Sequence, residues 1–457
     1  KIPNKWNQFR VYFTRDVLSK LTNKQYILIN TVEAPALALI LGFFVKYFGH
    51  SKKGVTYTFE NSENLPQFLF IAVVVALFLG LTVAAEEIIK DQKILKRESF
   101  LNLSKGSYLF SKISIMFIIS AIQTLLFVLI GNFILEIRGM WFEYWFILFS
   151  TSCFANLLGL NISSTFNSAK VIYILIPIMI IPQLLFSGVI VKFDKLHPIF
   201  SQENSVPWIG NVMASRWAYE ALAVSQYKRN KFEEPFFDIN QQESEASWKR
   251  DYWLPEMRNQ LNILSNYYND SLKQSKVSQA QAILAHEIKK EENLYDPSLD
   301  FTCGNCVEQL KNDQWNTDLK SAIDSYLKIL NDVYKAEVNE AIERHSSKLK
   351  SIGSDKYRSL KKHYYNDALS DFATNRNDLD KIVIANHQLI QKADPIYKVP
   401  RYSDFMNAHF YAPGKLLWGQ YIPTLWANIL MLWFMTLILG ITLYFDLFRK
   451  IIEGTGK

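Results

Sequence analysis

An unbroken apolar stretch from Ile172 to Val191 constrains this chain more than any other part of its sequence. The stretch, IYILIPIMIIPQLLFSGVIV, carries no charged residue, and as a helix it is long enough to cross a hydrocarbon core of about 30 Å. Pro177 and Pro182 interrupt it. In lipid such breaks persist where neighbouring helices or a water-lined cavity satisfy the freed carbonyl groups. Two interpretations follow, a kinked packing helix or a wall of a transport pathway. The opening into Phe186-Ser187-Gly188 suggests the pathway, but on this stretch alone the two interpretations have equal weight.

The composition indicates a membrane domain that carries one large soluble insertion. The chain has 457 residues, which is enough for more than one domain, and 49% of them are hydrophobic. Apolar residues concentrate in 26–192 and 420–448, whereas 193–415 is rich in Lys, Glu, Asp, Asn and Gln. We therefore expect an all-α membrane protein, since no stretch shows a convincing strand alternation.

Six apolar stretches predict six membrane-spanning helices. They lie at about 26–48, 67–89, 108–135, 141–166, 172–191 and 421–448. The predicted domains are an interfacial helix at 1–25, spans one to five at 26–192, a mostly helical domain with a re-entrant start at 193–415, and the sixth span with a tail at 416–457. Small and polar residues in the second half of the fourth span predict close helix packing and interhelical hydrogen bonds.

The basic residues report orientation and give no sign of a nucleic-acid partner. The net charge is +7, but the Lys and Arg residues cluster beside the spans, in 5–24, in 90–105 and at Arg449-Lys450. By the positive-inside rule both termini are then cytoplasmic and 193–415 is extracytoplasmic. Because the sequence opens at Lys1 without Met, we expect it to be a fragment of a longer protein.

Two polar features near the first span leave alternatives open. In residues 5–24 the side chains of Trp6, Phe9, Phe13 and Val17 share one helical face, which predicts a helix lying in the cytoplasmic membrane interface. An ordinary amphipathic surface helix is the alternative. Glu33, within the first span, needs a partner or water, so it is either functional or paired with a base of the entry helix.

The cysteines predict one local disulfide. Cys303 and Cys306 form CGNC in the region expected to lie outside the cytoplasm, where the compartment is oxidising, so we expect a bond between them. A redox CxxC would need a thioredoxin-like setting, and zinc would need two further ligands. We expect no metal site.

Several stretches resemble the membrane domain of ATP-binding-cassette exporters of the G subfamily, the white and pleiotropic-drug-resistance type. The stretch LFSGVIVKFDKLHPIF from Leu185 matches the end of that family's fifth span. Pro207-Trp208 through Tyr227 matches the following segment, in which Ser215 replaces the usual proline. The charged stretch 86–112 resembles the family's coupling helix and third-span entry. The matches cover residues 5–230 and 408–450, and the long region between the fifth and sixth spans is the departure.

The resemblance implies a permease that works with a nucleotide-binding domain. ATP and Mg²⁺ would be bound by that domain, fused upstream or separate, because this chain has no phosphate loop. A second copy of the chain would complete a dimer, with membrane lipid around it. Glu86, Asp91 and Glu98 match the family's coupling positions, and the alternative is that these acids form a solvated loop face.

The resemblance also places six apolar residues along the pathway. They are Ala76 and Leu79 from the second span, Ile181 and Leu184 from the fifth, and Val189 and Ile190 at an apolar plug. Such a cavity would favour a hydrophobic or amphipathic cargo, since burial of apolar surface contributes about 25 cal/mol per Å². The alternative for these residues is a lipid-facing or core-facing position.

Three classes of function are compatible with the sequence. The leading one is an ATP-driven exporter of the inner membrane whose large insertion gates the exit or binds an envelope partner. The second is a membrane-anchored scaffold or receptor that presents the insertion. The third is a membrane enzyme using His286 or Glu287, which is the weakest because we find no nucleophile–base pattern. For the exporter, the sequence is compatible with lipid, polysaccharide, peptide and drug cargoes.

Overall fold

The computed structural model describes residues 4–51, 54–98, 104–166, 168–294, 302–400 and 408–454. For residues 49–51, 54, 55, 93–96, 98, 169 and 453 it describes the backbone alone. The chain forms two compact units. The first comprises Lys1–Lys231, Leu360–Ser370 and Pro400–Lys457, and the second comprises Phe232–Ser359 and Asp371–Val399.

The first unit is built mainly from helices, several of them long and apolar. Its helices are α1 Lys5–Thr22, α2 Lys24–Val45, α3 Leu65–Ala84, α4 Glu87–Glu98, α5 Lys105–Leu135, α6 Trp141–Thr165, α7 Ala169–Leu185, α8 Trp208–Asn211, α9 Ala214–Lys228, α17 Thr424–Tyr444 and α18 Leu447–Gly454. Within the described residues, α2, α3 with its extension to Gln92, α5, α6 and α17 are long and apolar enough to cross a membrane. At 1.5 Å per residue, even the 21 residues of α17 reach about 30 Å. The expected all-α membrane protein is confirmed.

The helix observed at the predicted fifth span is shorter than the sequence predicts. Its helix, α7, has 17 residues and ends at Leu185, before the predicted end at Val191. The hydroxyl of Ser187 donates to the carbonyl of Leu184 over 2.8 Å, and Gly188 adopts a φ of +81°. A side chain at Gly188 would overlap the ring of Phe193, so the turn that ends α7 requires glycine. Apolar composition alone does not reveal this turn.

Helices α3 and α6 approach closely because small residues line their contact. A Cβ atom on Gly80 of α3 would lie 2.5 Å from the carbonyl oxygen of Ser152, and one on Gly159 of α6 would lie 2.9 Å from Cβ of Ala84. The hydroxyl of Ser152 and the amide of Asn156 both donate to Ser120 of α5, over 2.9 and 2.7 Å. The close packing and interhelical hydrogen bonds expected for the fourth span are confirmed.

Helix α1 packs on α5 through the aromatic face that the sequence assigns to the membrane interface. Phe9 lies 5.2 Å from Phe110 of α5 between ring centroids, and Phe13 and Val17 pack against the core around Tyr12. The open side of α1 instead carries Val11, Leu18 and Leu21, which are more than half exposed. A position in the membrane interface stays a prediction, with this second apolar face as the one available to lipid.

The second unit is a helical body with a single described hairpin. Its helices are α10 Phe237–Trp248, α11 Leu254–Tyr267, α12 Gln274–Glu292, α13 Cys306–Lys311 and α14 Thr317–Ile352, and α10 continues into α11 through a π-helical turn, Lys249–Trp253. Two further helices, α15 Ser354–Tyr364 and α16 Asp367–Ala373, contribute residues to both units. The core contains Leu261, Leu284, Leu327 and Tyr334. These helices agree with the helical periodicity of the sequence.

Three short hairpins are present where the sequence shows no strand alternation. They pair β1 Gly49–Ser51 with β2 Gly54–Thr56, β3 Ile382–Ala385 with β4 Gln388–Gln391, and β5 Gly414–Leu417 with β6 Gln420–Pro423, all antiparallel. Strands of three or four residues are too short for a period of two to be recognised. The turn of the last hairpin places Trp418 and Gly419 at positive φ, as a type I′ two-residue loop requires.

Candidate functional site

A cluster of charged side chains lies at one end of the long helices of the first unit. The ammonium of Lys112, in α5, lies 2.8 Å from Asp16 of α1, and 3.2 and 2.9 Å from Glu87 and Asp91 of α4. Lys20 of α1 adds a second ammonium 2.7 Å from Glu87. We call these five residues the coupling cluster. It ties α1, α4 and α5 together through ion pairs.

The coupling cluster is enclosed, so its charges depend on each other. The side chain of Lys112 is 4% exposed and that of Glu87 is 5% exposed. An ion removed from water to this extent is stable only when it is paired and hydrogen-bonded. The hydroxyl of Tyr108 supplies one further bond, donating to Asp91 over 3.1 Å. The three carboxylates outnumber the two ammonium groups by one.

The start of α4 is fixed by α6 as well as by the cluster. The backbone N–H groups of Ile88 and Ile89 both donate to the hydroxyl of Ser163, over 3.1 and 3.2 Å. These N–H groups belong to the first turn of α4, where a helix supplies no partner of its own. Glu87 at the same end is favourably placed for the helix dipole. Helix α4 is therefore attached to α1, α5 and α6 at its first turn.

The three predicted coupling residues have different surroundings. Asp91 belongs to the coupling cluster. Glu86 does not: it pairs with Lys90 over 2.8 Å and accepts a hydrogen bond of 2.5 Å from Tyr173 of α7. Glu98 ends α4, and its side chain lies outside the described residues. A coupling role for these residues stays a prediction.

Sequence reasoning missed four members of the cluster. Lys112 is a lone base inside an apolar span, which is a usable signal because such residues need a partner. Glu87 stands beside Glu86 in the sequence, and Asp16 and Lys20 lie one helical turn apart on α1. The sequence does not say which acids meet Lys112, since the partner Asp16 is 96 residues away.

The predicted pathway residues do not share one environment. Ala76 and Leu79 of α3 are 2% and 1% exposed, so they are enclosed within this chain and are not available to a neighbouring molecule. On the same helix Ile71 and Phe78 are large apolar residues that remain exposed. A helix advances 100° per residue, so Phe78 lies on the opposite side of α3 from Ala76. The assignment of Ala76 and Leu79 from the resemblance therefore does not match the open face of α3.

The remaining pathway residues lie on or beside the open side of α7. Ile181 is 51% exposed and Ile190 is 56% exposed, whereas Leu184 and Val189 are half-buried. Further apolar residues of α7 are exposed too, including Ile174 and Ile178. Helix α7 therefore presents a long apolar surface that the described part of the chain leaves uncovered. The pathway role of these four residues stays a prediction.

A second charged group lies in the core beside the start of α17. Nζ of Lys415, in β5, lies 2.6 Å from Glu220 of α9 and 2.7 Å from the side-chain oxygen of Asn428 in α17. The amide of Asn428 donates to the same oxygen of Glu220 over 2.8 Å. Arg216, one turn before Glu220, lies 3.5 Å from it. We call Arg216, Glu220, Lys415 and Asn428 the anchor group.

With Lys415 protonated, the anchor group carries one surplus positive charge out of contact with water. Neither Lys415 nor Glu220 is exposed at all. Burial and the nearby charge of Arg216 lower the pKa of Lys415 to about 7. Burial alone would raise the pKa of Glu220, but the charges of Arg216 and Lys415 and hydrogen bonds from Lys415 and Asn428 hold that pKa below its ordinary value.

Aromatic contact with Trp217 supports the two cations of the anchor group. The guanidinium carbon of Arg216 lies 3.8 Å from the centroid of the Trp217 ring, and Nζ of Lys415 lies 4.3 Å from it. Arg216, Trp217 and Glu220 lie in the matched stretch that ends at Tyr227. Lys415 lies in the matched residues 408–450, but no motif there singles it out. The group joins α9, β5 and α17, and so it fixes where the sixth predicted span begins.

The second unit carries the disulfide but no described metal site. Cys303 and Cys306 are joined by a disulfide, with Cα atoms 5.6 Å apart. Among the described residues, no group of three or more His, Cys, Asp and Glu side chains is placed to hold a metal ion. Glu287, considered above for an enzyme, is 1% exposed and accepts hydrogen bonds of 3.0 Å from Trp253 and from the backbone of Leu389. These bonds give Glu287 a structural role in the core of that unit.

Comparison with known proteins gives one family and two relatives. Residues 7–227 match the family model described as ABC-2 type transporter. The chain is 22% identical over 237 residues to the "ABC transporter G family member STR" of Medicago truncatula, which covers 50% of this chain and 27% of that protein. It is also 22% identical over 237 residues to the protein of the same name from Petunia hybrida, covering 50% and 26%. The chain thus spans about a quarter of the length of these curated relatives.

Proposed function

We propose that this chain, whose residues 7–227 form an ABC-2 type transporter membrane domain of the G subfamily, is the permease part of an ATP-driven exporter. In this proposal it moves a hydrophobic or amphipathic cargo outward by alternating access. The energy comes from ATP and Mg²⁺ bound by a nucleotide-binding domain, either fused to this chain or separate. The two relatives are named as ABC transporters, which supports the transport class.

The observation that carries the proposal is the coupling cluster. Alternating access needs a rigid connection between the part that a nucleotide-binding domain pushes and the helices that open. Helix α4 is polar and follows α3 after only two residues, and its first turn is held by ion pairs to α1 and α5 and by hydrogen bonds to α6. A push on α4 therefore reaches several long helices at once and is not absorbed by a loose loop.

The open apolar faces support a dimer. Helix α7 exposes Ile174, Ile178 and Ile181, and α3 exposes Ile71 and Phe78. Exposed apolar residues of this kind face lipid or a partner. We place the cargo pathway between the α3 and α7 helices of two copies, with Phe78 in place of Ala76 and Leu79 as the residue of α3 that lines it. Burial against these residues favours an apolar cargo.

The proposed setting is the inner membrane with both termini in the cytoplasm. Basic residues beside α1, α4 and the end of α17 support this orientation. The second unit then lies outside the cytoplasm, where an oxidising compartment maintains the disulfide between Cys303 and Cys306. We propose that it contacts an envelope partner or borders the exit of the pathway.

A scaffold or receptor is the second candidate. It is favoured by the size of the second unit, which lies beyond the ABC-2 match at residues 7–227. In that case the long helices would only hold the second unit at the membrane. The coupling cluster would then have no role beyond stability.

A measurement of ATP hydrolysis separates the two candidates. The full-length protein is purified with any subunit that copurifies and placed in lipid nanodiscs, and the vanadate-sensitive rate is measured. The exporter proposal expects hydrolysis above that of empty nanodiscs. It also expects Asp91→Asn to change the rate, because Asp91 lies in the coupling cluster, whereas Asp355→Asn, at an acid that is 96% exposed, leaves it unchanged. Absence of hydrolysis in the folded protein with all its subunits would favour the scaffold.

A further inference from the structure

Two prolines interrupt the hydrogen bonding within helix α7, and few of its described side chains are buried against the rest of the unit. Proline cannot donate a backbone hydrogen bond, so Pro177 and Pro182 each leave a carbonyl of the preceding turn without its helical partner. Among the described side chains of this helix, only Ile172, Ile176 and Gln183 are buried. The last of these is polar, and it lies directly after Pro182, near the end of the helix.

Gln183 makes two hydrogen bonds to one residue of α9. Its side-chain oxygen accepts from the backbone N–H of Ser215 over 3.0 Å, and its backbone carbonyl accepts from the hydroxyl of Ser215 over 2.5 Å. The first bond satisfies an N–H group in the first turn of α9, and the second satisfies a carbonyl in the last turn of α7. Groups at helix ends have no partner within their own helix. The two residues therefore cap each other's helices.

The partner helix α9 is itself firmly held. The indole N–H of Trp217, in the same turn as Ser215, donates to the carbonyl of Asn211 over 2.8 Å. The anchor group then joins Glu220 of α9 to Lys415 and Asn428. Because α9 is fixed along this length, its bonds to Gln183 fix the end of α7 as well.

The bonds also set the rotation of α7 about its axis. Gln183 is 9% exposed and faces α9, whereas Ile181 and Leu185 are exposed by 51% and 43%. Residues two apart on a helix point about 200° from each other, so holding Gln183 against α9 turns Ile181 to the open side. Without the two bonds, the turn that follows Pro182 would lose its polar contact with α9. Its rotation about the axis of α7 would then no longer be fixed by that contact.

We propose that Gln183 and Ser215 form a latch that fixes the rotation of the C-terminal turn of α7, and so determines which apolar side chains face the cargo pathway. Gln183 is then a positioning residue, which acts through Ile181 and Leu185 and does not itself contact cargo. The inference rests on the proposed function, since the pathway along α7 belongs to that proposal. It depends on the identity of residue 215, because a proline at this position would have neither an N–H group nor a hydroxyl.

The mobility of a spin label at Ile181→Cys, in the full-length protein in lipid nanodiscs, tests the latch. The native Cys153 is buried, and Cys303 and Cys306 form the disulfide, so the labelling background is measured on protein without Ile181→Cys. Ser215→Pro removes both bonds of the latch. Gln183→Leu removes only the bond to the side-chain oxygen, and Ser215→Ala removes only the bond from the hydroxyl. Ser215→Thr keeps the N–H group and the hydroxyl and is the rescue variant.

The latch predicts a graded loss of order at residue 181. The label becomes most mobile in Ser215→Pro, less so in Gln183→Leu and Ser215→Ala, and keeps its original spectrum in Ser215→Thr. Ser114→Ala, which removes a hydroxyl that donates to a carbonyl within α5, leaves the spectrum unchanged. Thermal unfolding of each variant identifies any that does not fold, and Ser215→Ala, the smallest change, keeps the test available.

Identical spectra in the folded latch variants would overturn the inference. Equal loosening in Ser114→Ala and Ser215→Ala would also overturn it, because the effect would then not depend on the latch. The label needs no ATP, so a failure of this inference is distinct from a failure of the proposed function, which ATP hydrolysis measures separately.

Discussion

Nζ of Lys112 lies 3.2 Å from Oε2 of Glu87, and neither side chain is more than 5% exposed. The two residues belong to different helices, α5 and α4, and Asp16 of α1 and Asp91 of α4 complete the contact. A connection of this kind transmits force only while its charges remain paired. The central ammonium of Lys112 is therefore the group on which the cluster depends most.

Replacing Lys112 by Met is expected to destabilise the protein strongly. Three carboxylates would remain with one ammonium group, and leaving buried charges unpaired costs roughly 3–5 kcal/mol. The free energy of unfolding in detergent, measured by chemical denaturation, tests this. Lys105→Met is the control, because Lys105 is 46% exposed in its ion pair with Asp446 and its loss should cost at most about 1 kcal/mol. Equal effects of the two changes would contradict a central role for Lys112.

We expect the anchor group to lose more stability when the carboxylate of Glu220 is removed than when the ammonium of Lys415 is removed. Glu220→Gln leaves Arg216 and Lys415 buried without a carboxylate, which should cost roughly 3–5 kcal/mol. Lys415→Met leaves one positive and one negative charge and removes two hydrogen bonds, which should cost roughly 1–3 kcal/mol. Thermal unfolding of both variants, measured beside the unchanged protein, shows which substitution costs more stability. A larger loss of thermal stability in Lys415→Met than in Glu220→Gln would mean that unpaired positive charge is not the main cost of disrupting this group.

The stability of the protein is expected to rise with pH above neutrality because of Lys415. Burial and the charge of Arg216 lower the pKa of Lys415 from 10.5 to about 7. The unfolded chain therefore binds more protons than the folded one between these values, and stability increases as pH rises through that range. The midpoint of thermal unfolding at pH 7 and pH 9, compared with that of Lys415→Met, isolates this contribution. The same pH response in both proteins would contradict it.

Close approach of α3 and α6 predicts that Gly80 tolerates no side chain. A Cβ atom there would lie 2.5 Å from a backbone oxygen of Ser152, whereas one on Gly440 of α17 would have its nearest neighbour at 3.9 Å. Gly80→Ala should therefore lower the thermal unfolding midpoint and Gly440→Ala should leave it unchanged or raise it slightly, since alanine favours helix. Overpacking of this kind typically costs about 1–3 kcal/mol. Equal midpoints for the two variants would show that the helices can separate without cost.

The sequence predicts the membrane helices well because their signal is local. An apolar run of span length is sufficient for α2, α3, α5, α6 and α17. The end of α7 is missed because it depends on the conformation of Gly188 and on the ring of Phe193 packed against it. That is a tertiary contact, which hydropathy does not contain.

The site is predicted less completely, because its geometry joins distant parts of the chain. Asp91 is identified from the resemblance, but its partner Lys112 and the further acid Asp16 come from other helices. Lys415 and Glu220 are 195 residues apart, and no spacing rule relates them. Ala76 and Leu79 show a different limit: a resemblance gives the helix, but the burial of each side chain identifies the open face.

Nucleotide-dependent cross-linking between the α7 helices of two copies is the direct test of ATP-driven alternating access in this protein. The probe is Ile178→Cys in the full-length protein in nanodiscs, since Ile178 is 54% exposed and lies on the proposed dimer side. We expect the yield of cross-linked dimer to change when ATP and vanadate are added, and Asp91→Asn to weaken that change while the protein stays folded. A yield that nucleotide does not alter, in protein that hydrolyses ATP, would contradict the proposal that ATP drives alternating access along a pathway between the α7 helices of two copies.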